Sequence, residues 1–214
     1  VIDGPVVVVT SPDAHQVRQC LGDTVEYVEQ AEPKGTGHAL LEAERVLDGR
    51  ASHVMVLYGD TPLILSATLA RLREEHQSAA ITFLTSDTVS ADGLGRVVRD
   101  AAGQVTAVVE EAQASEEQRA IAEVNGGVYA FKTAWLWPAL RELTPAPVGE
   151  YYITDLVAIA AGSDMTVTTI ASDEAIETLG VDNRVRLAQS EKAMRQRILD
   201  AWMLAGVTVV DPAT

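Results

Sequence analysis

From Val1 to about Gly180, short apolar β-rich runs alternate with segments of helical period. Residues 6–9 form an unbroken valine run, which predicts a strand buried on both faces. Ser11, Pro12 and Asp13 then predict a cap that opens a helix with Val17, Cys20 and Leu21 facing inward. Residues 25–28 read as the next strand. Leu40, Ala43 and Leu47 make one helical stripe, followed by a strand over 53–58. Leu65, Leu69 and Leu72 mark a further helix, and residues 80–84 return to strand. This order predicts an α/β chain with a mostly parallel sheet and helices on both faces. Ligands of such sheets bind beyond the carboxyl ends of the strands.

The rhythm changes in the middle of the chain. Residues 96–99 and 105–110 flank the turn-forming Asp100-Ala101-Ala102-Gly103-Gln104, which predicts an antiparallel hairpin. Residues 115–121 are polar and helix-forming, and 124–131 read as a long strand. A helix over 133–143 carries Trp135 and Trp137, both expected in the core. Leu187, Met194, Ile198, Ala201, Trp202 and Ala205 form a wide apolar stripe on a long helix over 184–205. Residues 206–212 predict a final strand stopped by Pro212. No Pro/Gly/Ser-rich linker and no internal repeat divides residues 1–214, so one domain is expected.

Composition narrows the classes. With 47% hydrophobic residues the chain can bury a full core, and no apolar run approaches the length that spans a bilayer. Nothing at Val1 resembles a cleavable signal, and a lone Cys20 suits a reducing cytoplasm. The net charge of -15 disfavours nucleic acid as a partner, because a polyanion is held by clustered Lys and Arg. A nucleotide remains compatible, since a small anion needs only local compensation by a metal ion, backbone N–H groups or one or two cations. Mg²⁺ is then expected to carry much of that load.

The candidate chemistry sits at a few turns. Gln30-Ala31-Glu32-Pro33-Lys34-Gly35-Thr36-Gly37-His38-Ala39 has the make-up of a base-and-phosphate loop. The Gln30 carboxamide can read a pyrimidine edge, and Gly35 and Gly37 would let a ligand approach the backbone. Tyr58-Gly59-Asp60 follows a strand directly, placing a carboxylate where Mg²⁺ and a triphosphate could meet it. Gly95 opens the hairpin, Glu110 ends it, and Asn125 starts the long strand; each could face a sugar. Glu150-Tyr151-Tyr152-Ile153-Thr154-Asp155 can wall a pocket, with the Thr154 hydroxyl toward the ligand. Asp182 and Asn183 precede the long helix, and either would serve as its N-cap.

Together, in this order, these segments resemble the uridylyltransferase domain of the bacterial bifunctional N-acetylglucosamine-1-phosphate uridylyltransferases/glucosamine-1-phosphate acetyltransferases. The resemblance covers nearly the whole chain and extends to residues 204–212. It implies a Rossmann-like nucleotidyltransferase (nucleotide-diphospho-sugar transferase) fold with a small β-rich sugar-binding subdomain. It also implies a cytoplasmic, Mg²⁺-dependent enzyme of peptidoglycan and lipopolysaccharide precursor synthesis. UTP and N-acetylglucosamine-1-phosphate would give UDP-N-acetylglucosamine and pyrophosphate by in-line attack on the α-phosphorus. By the same resemblance Gln30, Gly35 and Thr36 hold uridine, and Tyr58 and Gly59 contact substrate. Asp60 and Asp182 are the catalytic metal ligands. Gly95, Glu110 and Asn125 hold the N-acetylglucosamine moiety, and Tyr152 and Thr154 line its end of the cleft.

The chain departs from the family pattern in three ways. Asp182 stands where the family usually has Asn, which keeps an oxygen donor and adds a charge. The family's first strand and Gly-rich loop with Arg and Lys are not in this sequence, so little turnover is expected from these residues alone. The family's hexapeptide-repeat β-helix, which carries acetyltransfer and trimerisation, is not in it either, so a monomer is expected. Two alternatives stay open: another sugar-1-phosphate nucleotidyltransferase (glucose-1-phosphate uridylyl- or thymidylyl-), or a non-catalytic nucleotide-sugar binding module.

Overall fold

The first half of the chain builds strands and helices in turn, as its apolar rhythm requires. These are β1 (Val7–Thr10), α1 (His15–Leu21), β2 (Glu26–Glu29), α2 (Thr36–Leu47), β3 (His53–Leu57), α3 (Ser66–Glu75) and β4 (Ile81–Asp87). The hairpin β5 (Arg96–Arg99) and β6 (Val105–Val109) follows, then α4 (Glu116–Arg119) and the long β7 (Glu123–Lys132). Next come α5 (Thr133–Glu142), α6 (Asp155–Gly162), β8 (Val167–Ala171) and α7 (Arg184–Leu204). The computed structural model describes residues 4–87 and 93–212, so the chain start at Val1 lies outside the described residues.

Local chemistry accounts for several of these elements. Asp100 Oδ1 accepts from the Ala102 and Gln104 backbone N–H groups, closing the β5–β6 turn with Gly103 at positive φ. Ser115 and Gln118 form a capping box at α4. The stripe of α2 is buried as its spacing predicts: Leu40, Ala43 and Leu47 join one core with Leu136 and Leu140 of α5 and Phe131 of β7. At its centre Tyr129 stacks with Phe83 at 5.8 Å and with Phe131 at 5.6 Å between ring centroids. Each such pair contributes about 0.5–1.5 kcal/mol beyond simple burial. Trp137 is buried and Trp135 packs partly against the same core.

Among the described residues the strands form two sheets, β1–β2 alone and a second in the order β6-β5-β7-β4-β8 with β3 also paired to β7. The sheet is mixed rather than mostly parallel. Only β1–β2 and β4–β8 pair in parallel, while β7 runs against β3, β4 and β5. Strands β3, β4 and β8 still share one direction, so the predicted strand–helix rhythm is kept. The long β7 enters between β3 and β4 and breaks their adjacency, which periodicity cannot foresee. The β-rich hairpin is continuous with this sheet, because β5 meets β7 at Arg96↔Val124.

Three expectations about burial fail. The valine strand is only partly covered, and Val6 is 47% exposed, since β1 has β2 as its sole partner among the described residues. Helix α1 buries nothing: Val17, Cys20 and Leu21 are exposed, and its N-cap is Ala14 without a side-chain hydrogen bond. Spacing put those three on one face but could not say what lies opposite it. The stripe of α7 is likewise uncovered, with Ser190 the helix's one buried residue, and residues 206–210 pair with no strand.

Candidate active site

The site forms where β7 changes neighbours. Strand β4 covers one edge of β7 from Phe131 to Glu123. The other edge is divided, with β3 on residues 128–132 and β5 at Val124. Asn125, Gly126 and Gly127 fall in the interval, opposite a register shift in β4 between Phe83 and Thr85. A Cβ on Gly126 would stand 2.9 Å from the Leu84 carbonyl oxygen. At Gly127, φ is +72° and a Cβ would meet the Tyr58 ring at 2.9 Å. Gly127 therefore lets Tyr58, just past β3, fold across the strand, while Gly126 makes room for Leu84 and Thr178. Burial pushes the Tyr58 phenol up to about 12, so it stays protonated and can donate.

The side chains predicted to face a sugar converge on this interval. Asn125 N donates to Gly95 O at 2.9 Å, and Asn125 Oδ1 accepts from Gly127 N at 3.1 Å. Glu110 Oε1 accepts from Thr154 Oγ1 at 2.7 Å. A Cβ on Gly95 would come within 2.9 Å of Val108 and 3.7 Å of Glu110 Oε2, so glycine there is demanded by β6 itself. Thr154 is 1% exposed, so its hydroxyl serves Glu110 and is not turned to a ligand, contrary to expectation. Tyr152 does face the opening: with Gly93, Glu110, Glu111 and Ala112 it lines a cleft of about 410 Å³. A slightly larger cavity, about 430 Å³, lies at the other end of β3 among residues 48–52, Thr133, Ala134 and Trp137, remote from all these groups.

Burial holds the Glu110 carboxyl above the usual carboxylate range, with Asp155 and Glu150 adding like charge. A carboxyl whose folded pKa is raised favours the fold below its unfolded value and loses that contribution as pH rises through the folded value. Ionised Glu110 therefore works against stability at neutral pH. Glu110→Gln keeps an acceptor for Thr154 and should raise the melting temperature at pH 7, the gain shrinking toward pH 4.5. Thermal scans across that range check the sign. An unchanged or lowered melting temperature at pH 7 would count against it.

The loop at 30–38 is built differently from its sequence reading. Gly35, at φ +96°, and Gly37 are required by a protein neighbour: a Cβ on Gly35 would lie 2.6 Å from Tyr151 O. The segment before α6 clamps this loop. Gly37 N donates to Tyr151 O and Tyr151 N to Lys34 O, both at 2.8 Å, while Ile153 N donates to Thr36 Oγ1 at 3.0 Å. Gln30 Nε2 donates to Gly35 O at 3.1 Å and faces His38 Nδ1 at 2.8 Å. Its two hydrogens are thus spent within the loop, and Oε1 is the end it offers to a base.

The segments carrying the two aspartates meet at the backbone. Val181 N donates to Asp60 O at 2.7 Å, and a Cβ on Gly180 would lie 3.7 Å from Asp60 Oδ2. Asn183 takes the N-cap of α7, accepting from Val185 N and Arg186 N, so Asp182 is not the cap. Asn183 Nδ2 donates to Asp182 Oδ1 at 2.7 Å, and Arg186 stands 3.5 Å from Oδ2, offsetting part of the added charge. Among the described residues no cluster of three or more His, Cys, Asp or Glu could form a complete cage for a metal ion. Two carboxylates on adjoining segments suit the chemistry of a hard cation that takes its remaining ligands from phosphate and water, so the donor types fit Mg²⁺.

Comparison with known proteins gives the family. The profile of the family described as nucleotidyl transferase matches residues 1–203. The chain belongs to the nucleotidyl transferase family. It is 42% identical over 212 residues to the bifunctional protein GlmU of Pelotomaculum thermopropionicum, covering 98% of this chain and 46% of that protein. It is 44% identical over 209 residues to the GlmU of Heliobacterium modesticaldum, covering 96% of this chain and 46% of that protein. The chain therefore spans less than half the length of these curated relatives. No helix among the described residues is long and apolar enough to cross a membrane.

Some residues that shape this nucleotidyl transferase site gave no sequence signal. Arg96 is buried, donating to Leu94 O and, at 3.4 Å, to Arg119 O, so it fixes the turn that presents Gly95. Glu177 is fully buried although its local sequence, Asp173-Glu174-Ala175-Ile176-Glu177, reads as solvated. Neither feature shows as period or motif.

Proposed function

We propose that this chain is the part of an enzyme that joins UTP and N-acetylglucosamine-1-phosphate into UDP-N-acetylglucosamine, releasing pyrophosphate. The observation that supports it most is the hydrogen bond from Val181 to Asp60. It ties the segment carrying Asp60 to the one carrying Asp182, and the bonds from Ile153 to Thr36 and from Thr154 to Glu110 tie the Gln30 loop and the Glu110 strand to one segment, 153–154. Gln30 Oε1 accepts from the N3–H of a uracil, whereas a cytosine ring offers no hydrogen there. Glu110 accepts from sugar hydroxyls, and Asn125, with Oδ1 engaged by Gly127, offers its amide donor. Tyr152 walls the sugar side.

The sugar-phosphate oxygen attacks the α-phosphorus in line, its P–O bond forming as the bond to pyrophosphate breaks. No protein nucleophile is required, and the chain contributes positioning. Asp60 and Asp182 would hold Mg²⁺, which when bound supplies charge stabilisation at the phosphates. Competition tests the reading. Excess UTP should displace labelled UDP-N-acetylglucosamine roughly tenfold or more better than CTP does, the worth of one hydrogen bond to the base. Truncating Gln30→Ala should erase that preference. Equal competition by UTP and CTP, or by N-acetylglucosamine-1-phosphate and glucose-1-phosphate, contradicts the assignment. Since little turnover is expected from these residues alone, the rival binding module is separated by Mg²⁺ dependence: nucleotide-sugar binding wholly indifferent to Mg²⁺ favours the module.

A further inference from the structure

Glu177 is the most deeply buried charged side chain among the described residues, 0% exposed, and no ligand-facing role accounts for it. It sits on a short 3-10 turn, Ala175–Thr178, one step before the Gly180–Asp182 segment. Its Oε2 accepts from Leu65 N at 3.4 Å, where α3 begins with no side-chain cap of its own. Leu65 closes the loop that Asp60 opens. The next anchor along that loop is Leu63, itself buried, whose carbonyl accepts from Arg197 Nη1 at 2.6 Å. The other arm of Arg197 pairs with Glu174 at 2.9 Å, just ahead of the 3-10 turn. With the bond from Val181 to Asp60, two direct ties and one bridge through Arg197 therefore join residues 60–65 to residues 174–182.

We infer that Glu177, supported by Arg197, is a positioning residue that sets the spacing between Asp60 and Asp182. This rests on reading those aspartates as the metal ligands. The physical ground is that the Leu65 N–H is the one hydrogen-bond partner found for this buried carboxyl group among the described residues, its Oε1 having none, so displacing the group would leave both partners unsatisfied at a cost. The Glu177 side chain, five residues ahead of Asp182, thus fixes where the chain turns into Gly180. Arg197 adds a link from α7, so the long helix bears on the same segments. Neither residue touches substrate in this arrangement.

Mn²⁺ serves as probe, read from paramagnetic broadening of the backbone amide signals at residues 59–61 and 180–183. Glu177→Ala should weaken Mn²⁺ binding roughly tenfold, the low end of what loss of outer-shell support costs. Glu177→Gln keeps an acceptor for Leu65 N and should restore most of that affinity. Because emptying a buried site can unfold the chain, Arg197→Met is measured in parallel; it cuts the Leu63 and Glu174 ties from the helix side and should weaken Mn²⁺ in the same direction. Asp60→Asn is the control for the metal reading. If it abolishes broadening while folded Glu177→Ala and Arg197→Met bind Mn²⁺ as the parent does, the positioning role is overturned alone. If Asp60→Asn also binds as the parent does, the metal reading falls and the inference with it.

Discussion

Alanine at position 35 is expected to destabilise the fold by about 2–5 kcal/mol, combining left-handed backbone strain with overpacking. For a chain of this size that lowers the melting temperature by roughly 5–15 °C. The cause is specific: Gly35 has φ +96°, and a Cβ there would press on Tyr151 O at 2.6 Å and Tyr151 N at 2.9 Å. Both obstacles are backbone of the clamping segment, so neither can rotate away. Gly149 provides the control, since it has φ +87° with nothing within 4 Å of a Cβ. Gly149→Ala carries the strain without the clash and should cost only about 1–2 kcal/mol. Equal losses in the two variants, measured by urea or thermal unfolding, would mean that the clamp does not grip the loop. Uridine-nucleotide binding should fall in Gly35→Ala alone, because Gln30 Nε2 is oriented by Gly35 O.

In a chain that also carries the family's Gly-rich loop, Asp60→Asn is expected to lower pyrophosphate release about 100–1000-fold, as losing several kcal/mol of metal-borne charge stabilisation requires. Stability should barely move, within about 0.5 kcal/mol, because Val181 bonds to the Asp60 main-chain oxygen and not to its carboxylate. Chelating Mg²⁺ should bring the parent down to a similar rate and change the variant little further. A variant that keeps both the parental rate and its response to chelator would remove Asp60 from the metal site. The contrast between the two substitutions is instructive. One residue is expected to be costly to change because protein packs on it, the other because of the metal it is proposed to hold.

The regular elements were largely legible in the chain. The α2 stripe, the β5–β6 hairpin closed by Asp100 and the Ser115 helix follow from periods and turn chemistry that act over a few residues. The candidate site was legible as residues but not as roles. Gly35 and Gly95 stand where predicted, yet each is glycine for the sake of a protein neighbour, Tyr151 in one case and Val108 in the other. Thr154 belongs to the site but turns its hydroxyl to Glu110. Such roles depend on partners far along the chain, as in the bond from Ile153 to Thr36, and a local pattern carries no record of them.

Burial divided the same way. Val17, Cys20 and Leu21 share a helical face by spacing, but nothing among the described residues covers it. Glu177, in an acidic run, lies wholly inside. By itself the sequence determined which residues could form each strand, helix and turn, and which side chains carried suitable chemistry, because these are properties of near neighbours. Only the tertiary structure decided that β7 would split the parallel strands and open the interval holding Asn125. It alone tied Asp60 to Val181 and chose which glycines yield to protein, because those outcomes are set by close packing between segments many residues apart.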